Sequence, residues 1–541
     1  MSRARRASSR APFRSRYLAL ALVACSPRSP AEPDRGPGAL TVLFTADLHS
    51  HLDPERVQVG AADAARGLGE SGVVATVGGA ARLATLVSSE RERAPTVLVD
   101  AGDLLEGTSF FPRFGGEPEM RVASALPVDA LVLGNHDVAQ GVDRVAAVHD
   151  RVAAFPLLGA NLGPELASGF VSPFAELERG GVRVLVIGLS RRDTGFPDVA
   201  ESAAAVNGIV LERRASADVV IVLSHLGREL DLELVPRTFG VDLVVGGHTH
   251  DVLVPPRFVT DCDVDVAARF PCEPRPVPVV HPGAYGRYVG KAEFVVSTDP
   301  AEGARGSPGA PSAIVDARFS LLPVTEAVAE RADVSSLLAP YRAVLSAEGD
   351  GTPIAYAPDT LSRRAVRRGD SALGDAVADA LRIAAQADAA VVNSTGIRAD
   401  VLAGPVSTGD VTRVLPFADE LVVVRTTGES LRAALRPLFA QACDGGGSSP
   451  VQIAGLSLDV TCSPLSVELP GAPGGTLRVA APSYLVNGRW LEPHSADDVE
   501  PGPGTVRDAW VSVIRSAPTC GETGGGLPCL RGTADGRIRI R

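Results

Sequence analysis

The chain has 541 residues, 45% of them hydrophobic and 21% charged, with a formal net charge of −12. That is the composition of a globular protein too long for one ordinary core, so two domains are expected. The acidic balance excludes a nucleic-acid surface, which needs clustered excess Lys and Arg, and leaves small anions held at a locally positive site.

The N-terminus reads as an export signal. Residues 1–16 are Arg-rich, and 17–24 (YLALALVA) are apolar but too short to span a bilayer. The run stops at Cys25 in LVAC, which resembles the lipobox of bacterial lipoproteins. That resemblance implies a signal over 1–25, cleaved before a lipid-bearing Cys25, and a membrane anchor on the periplasmic side of the cell envelope. Residues 26–39 are rich in Pro, Gly and Ser and read as a flexible tether. The other cysteines are Cys262, Cys272, Cys443, Cys462, Cys520 and Cys529, three sequence-near couples without CxxC spacing. Many pairings are possible. The expectation is three local disulfides in an oxidising compartment.

From residue 40 to 324 short Val/Leu/Ile runs alternate with Ala-rich amphipathic segments, an α/β pattern. The predicted strands are 40–44, 96–99, 130–133, 182–188, 219–223 and 241–245. Residues 325–347 have helical spacing and predict a connecting helix in a 325–352 linker, which Pro340 is expected to bend or break. A second unit covers 353–541, with a helix at 371–385, a closing helix at 506–516 and a last strand near the C-terminus.

Five of the six predicted strands end in metal-type residues. They supply Asp47 and His49, then Asp103, then Asn135 and His136, then His225, then His248 and His250. Each alone is more often a loop cap or a hydrogen-bonded surface residue than a ligand. Jointly they hold five of the nine histidines of the chain, all at strand tips, where open α/β sheets bind ligands. The donors are oxygen and nitrogen without thiolate, which suits Zn²⁺, Mn²⁺ or Fe. Two divalent ions with Asp47 and Asp103 as the anionic ligands leave a local charge of roughly +2, enough to draw a phosphate into an acidic protein.

In this order the motifs resemble the calcineurin-like metallophosphoesterases, and within them the exported 5′-nucleotidase/UDP-sugar hydrolase family. GGAARLATLV (78–87), GANL (159–162) and SHLG (224–227) carry the same resemblance. It implies a four-layer α/β/β/α first domain and an α+β substrate-binding second domain joined by a helix. It also implies two divalent metals, one on Asp47, His49, Asp103 and His250, the other on Asp103, Asn135, His225 and His248. A metal-bridging hydroxide would attack phosphorus, with His136 stabilising charge or protonating the leaving oxygen. One departure stands out. The family's Asp that orients this His is replaced by Ala139, and Asp137 sits at a neighbouring position.

The second half resembles the family's substrate domain through RRAVRRGDSALGDAVADALR, NSTGIRAD and VLPFADELVVV. The resemblance implies that Arg363, Arg367 and Arg398 meet substrate phosphate or carboxylate, and that Phe417 and Tyr484 clamp a nucleobase. Asp419 and Trp490 replace the Asn and Asp usual at nucleoside-facing positions. The expected function is therefore an exported, lipid-anchored phosphohydrolase, monomeric or dimeric, for nucleotides or nucleotide sugars, with altered or relaxed nucleotide specificity. The alternatives are a 2′,3′-cyclic nucleotide phosphodiesterase, a thiosulfate-ester hydrolase or a non-catalytic nucleotide- or metal-binding lipoprotein.

Overall fold

The central strands of the first domain are apolar on both faces because each is covered twice. The computed structural model describes residues 38–139, 141–163, 169–191, 198–297, 313–366, 369–444, 449–487, 491 and 498–541. The leader with Cys25, most of the tether, Arg367 and Trp490 lie outside the described residues. Gly38–Thr45 (β1), Thr96–Asp100 (β2) and Ala130–Val132 (β3) run parallel in a seven-stranded sheet. Val219–Ser224 (β4) and Leu243–Gly246 (β5) are parallel neighbours in a six-stranded sheet.

Val42, Phe44, Val97 and Val99 of the first sheet meet Val186, Ile221, Leu223 and Val245 of the second in one buried cluster. The alternate residues point outward. Leu43 and Leu98 join a cluster with helices Ala80–Arg93 and Glu117–Ala125, while Val220, Val222 and Val244 join one with Val199–Arg213. A period of two with both faces buried gives a continuous apolar run, not an alternating one. The result is the expected α/β/β/α stack.

All six predicted strands form, and β1 begins at Gly38, inside the expected tether. The sequence reading missed Val252–Thr260, an edge strand of the second sheet interrupted by Pro255 and Pro256 and largely exposed. Prolines and surface residues dilute the apolar signal at a sheet edge.

The connecting helix runs from Ala332 to Ala347, and the expected break at Pro340 does not occur. Val334, Leu338 and Leu345 bury themselves in the first-domain cluster, and burying three such side chains offsets the cost of about 3 kcal/mol of an internal proline.

The second domain is a five-stranded mixed sheet ordered Val451–Ala454, Ala389–Asn393, Thr476–Pro482, Glu420–Thr427, Val499–Thr505. Helices Ala372–Ala384 and Val506–Arg515 cover one face through Leu373, Val377, Leu381 and Trp510. Helix Gly428–Asp444 covers the other through Leu431, Leu435 and Phe439. The last strand, Ile538–Ile540, pairs with Leu458–Cys462. The three disulfides are Cys262–Cys272, Cys443–Cys462 and Cys520–Cys529, the local pairs expected.

Candidate metal centre

The polar residues that follow β1 to β5 converge where the tips of the two sheets meet. The backbone there is bent: Asp47, His49, Asp103, His248 and His250 have φ of 51°, 47°, 53°, 72° and 58°. Each left-handed non-glycine residue costs on the order of 1–3 kcal/mol, and such strain collects at functional sites. Main-chain bonds hold the bends together. Asp47 N–H donates to Gly102 O at 2.8 Å and His49 N–H to Asp103 O at 2.9 Å. Gly134 is required by close approach: a Cβ there would lie 2.1 Å from Asp103 Oδ1. Without it, Asp103 Oδ1 accepts the N–H of His136 at 2.9 Å.

At these tips potential ligand atoms form three groups, the atoms of each within 4.8 Å of one another: Asp47, His49 and His250; His49, Asp103 and His136; Asp103, His225 and His248. Asp103 belongs to two of them. Its Oδ2 is 3.0 Å from His225 Nε2 and 3.6 Å from His49 Nε2. Asn135 Oδ1 stands 3.0 Å from His248 Nδ1, and Asp47 Oδ1 stands 3.5 Å from His250 Nε2. Every metal-type residue proposed from the sequence is therefore in this cluster.

The outer nitrogens fix the ring orientations. His225 Nδ1–H donates to Ala101 O at 2.6 Å, and His49 Nδ1–H donates to Glu106 O at 2.8 Å. Both Nε2 atoms then turn inward, the arrangement by which carbonyl acceptors prepare histidines for a metal. Burial holds His49 and His248 well below the usual imidazole pKa, in the neutral form a metal needs.

The carboxylates pull the other way. Burial alone would protonate Asp103, but His225, His136 and His49 outweigh it and hold its pKa well below the carboxylate range. Burial would likewise lower His225, yet Asp103 drives its pKa up to about 10. A buried carboxylate that draws a proton onto its neighbour is one that a divalent cation would satisfy. The donor set, oxygen and imidazole nitrogen with inward lone pairs, fits such ions.

With Ala139 in place of the orienting Asp, the carboxylate beside His136 comes from a distant loop. His136 Nδ1 lies 2.8 Å from Glu106 Oε2. Glu106 is 7% exposed and itself left-handed, with φ 63°. Burial would lower the His136 pKa, but Asp103 and Glu106 raise it overall. Asp137 points elsewhere: its carboxylate accepts main-chain N–H groups of Asp103 at 2.9 Å, Leu105 at 3.0 Å and Gly134 at 2.8 Å. Burial pushes its pKa up to about 7.

The second domain closes the cluster. Arg398 Nη2 is 3.1 Å from Nε2 of both His49 and His250, and its guanidinium lies 5.7 Å from the Phe417 ring centroid. Phe417 is stacked on His136 with centroids 5.2 Å apart and planes at 14°. Arg363 donates its main-chain N–H to Asp400 Oδ1 at 2.6 Å. Tyr484 is half-buried against the apolar cluster beneath Gly428–Asp444. Asp419 is pushed up to about 6 by burial and by the charge of Glu106. Sequence reasoning missed Tyr285, whose ring packs 5.1 Å from His250. Burial raises its phenol, but Arg363, Arg398 and Arg287 outweigh it and lower the pKa. Its hydroxyl has no hydrogen-bond partner among the described residues and feels the charge of these three arginines.

Two packed sheets with a carboxylate shared between histidine groups at their tips define a metallophosphoesterase. Comparison agrees. Residues 40–252 match the calcineurin-like phosphoesterase family, and 351–492 match the 5′-nucleotidase C-terminal domain. The 5′-nucleotidase of Rattus norvegicus is 28% identical over 525 residues, covering 86% of each chain. The trifunctional nucleotide phosphoesterase YfkN of Bacillus subtilis is 26% identical over 489 residues, 80% of this chain; the match spans only 30% of that longer protein. The crystal structure of a 5′-nucleotidase precursor from Thermus thermophilus superposes with a TM-score of 0.78 at 26% identity, covering 93% of this chain and 99% of that one. The chain carries a calcineurin-like phosphoesterase domain followed by a 5′-nucleotidase C-terminal domain.

Proposed function

We propose that the protein hydrolyses phosphate esters of nucleotides with two divalent metals, Zn²⁺ or Mn²⁺. One is held by Asp47, His49, Asp103 and His250, the other by Asp103, Asn135, His225 and His248. The observation that carries this is the position of Asp103, whose carboxylate lies within ligand reach of both histidine groups. Bound metals supply Lewis-acid polarisation of the phosphoryl group and activation of the attacking water.

The chain's own groups do the rest. Arg398 and Arg363, joined by Arg367, bind and orient the phosphate, since guanidinium forks match its oxygens. His136 meets charge developing on the phosphoryl or leaving oxygen. Phe417 and Tyr484 form the base-binding side of the site. Asp419 and Trp490 replace the usual nucleoside contacts, so selectivity among nucleotides is relaxed and nucleotide sugars enter the substrate range. The disulfides support export to an oxidising compartment, and Cys25 provides a lipid anchor.

The test is phosphate release by the soluble form starting after Cys25, stripped with chelator and reloaded with Mn²⁺ or Zn²⁺. AMP, UDP-glucose and 2′,3′-cyclic AMP are compared, the last two coupled to a phosphomonoesterase. Turnover restored only by metal supports the reading, and an AMP preference as sharp as that of a selective 5′-nucleotidase contradicts the relaxed specificity. Binding of two metals with no turnover of any ester contradicts the enzyme reading.

A further inference from the structure

The loss of a carboxylate at position 139 leaves His136 without its expected support from the same helical turn. Asn135–Val138 forms a short helix with Ala139 as its last cap, so residue 139 lies three positions after His136, on the same face. The methyl group of Ala139 is exposed and cannot accept a proton. Asp137 is committed to three main-chain N–H groups.

The acceptor comes from another loop. Glu106 follows β2, three residues after Asp103, and its Oε2 stands 2.8 Å from His136 Nδ1. The same residue accepts His49 Nδ1–H through its main-chain carbonyl at 2.8 Å. The left-handed turn at Glu106 makes both contacts possible, because it sends the carbonyl toward His49 and the side chain toward His136.

We propose that Glu106 is the positioning residue for His136, a carboxylate relocated from the helical turn to the loop after β2. With Nδ1–H held by Glu106, Nε2 is the atom that meets substrate, and the ring keeps one tautomer and one orientation. This rests on the phosphohydrolase reading above for its kinetic consequence, but not for its geometry.

The test compares the metal-loaded wild type with Glu106→Ala, Ala139→Asp and the double variant. Glu106→Ala is expected to lower kcat about 10- to 100-fold, with KM and bound metal little changed. Adding Ala139→Asp, which returns a carboxylate to the helical face of His136, is expected to recover about 10-fold or more of the loss. Ala139→Asp alone is expected to leave kcat near wild type. A kcat for Glu106→Ala within about 2-fold of wild type overturns the proposal, as does a loss that tracks metal content and is not relieved at position 139. Should Glu106→Ala fail to fold, Glu106→Leu keeps a side chain of similar size without an acceptor and takes its place. An independent readout needs no turnover. In the ¹⁵N-histidine-labelled, Zn²⁺-loaded protein, the Nδ1–H signal of His136, assigned by its loss in His136→Asn, disappears in Glu106→Ala; its persistence there overturns the proposal. A wild type that hydrolyses no ester yet shows this signal refutes the phosphohydrolase reading and leaves the positioning contact standing.

Discussion

Arg398 and His49 are 349 residues apart in sequence, yet Arg398 Nη2 stands 3.1 Å from His49 Nε2. A guanidinium can only donate, so the imidazole nitrogen that faces it carries a lone pair. The second domain thus delivers a fixed positive charge to the mouth of a cluster built by the first. Replacing Arg398 with Ala should raise KM for a phosphate ester and the inhibition constant of inorganic phosphate together, by about 10- to 100-fold, the loss of one to two charge-assisted bonds. Arg398→Lys should recover little, because an ammonium lacks the fork. Competition by phosphate at fixed metal checks this.

Gly134 offers a sharper geometric test. A methyl group there would collide with Asp103 Oδ1 and the Asp103 main-chain nitrogen, while the backbone at φ −88° accepts alanine without strain. Gly134→Ala should therefore lower metal occupancy and turnover at least about 10-fold while the protein stays folded. Elemental analysis beside circular dichroism separates the two effects.

Glu119 predicts a pH effect on stability. It is fully buried, and burial outweighs the Ser50 hydroxyl beside it and pushes its pKa up to about 7. The folded protein holds this proton more tightly than the unfolded chain. The associated stability is therefore complete below the unfolded value, declines as pH rises from about 4.5 to about 7, and is absent above. The span is on the order of 3 kcal/mol. Glu119→Gln, neutral throughout, should flatten this dependence and be more stable than wild type at pH 8. Denaturant midpoints at pH 5 and pH 8 measure it.

Reduction should expose six thiols that do not react before it, in line with the three disulfides. Cys443–Cys462 closes the longest loop, with a separation of 19 residues. Replacing both with Ala should cost about 3 kcal/mol by loop-closure entropy, read as a lower thermal midpoint.

The sheets and the ligand cluster were legible because both leave local marks. A doubly buried strand is an apolar run, and the ligands follow it within a few residues, as His225 follows β4 and His248 follows β5. The Glu106–His136 contact left no such mark. It depends on a left-handed turn at a residue whose type does not require one, and on a partner 30 positions away. The signal was present only as an unassigned acid three residues after Asp103. Pro340 failed as a helix breaker because a local rule was outweighed by burial of Val334 and Leu338 against the first domain. Stacking of Phe417 on His136 was equally hidden, since it is fixed by how the two domains meet and not by either sequence stretch.

The central claim is that one carboxylate, Asp103, joins two metals into a hydrolytic site. Metal content per chain, measured by elemental analysis beside phosphate release from AMP, tests it most directly in wild type and Asp103→Asn. The account predicts two divalent ions and turnover in the wild type, and loss of one or both ions with turnover down by at least about 100-fold in the variant. A wild type that binds no metal after reloading, or a variant that keeps both ions and full turnover, would contradict it.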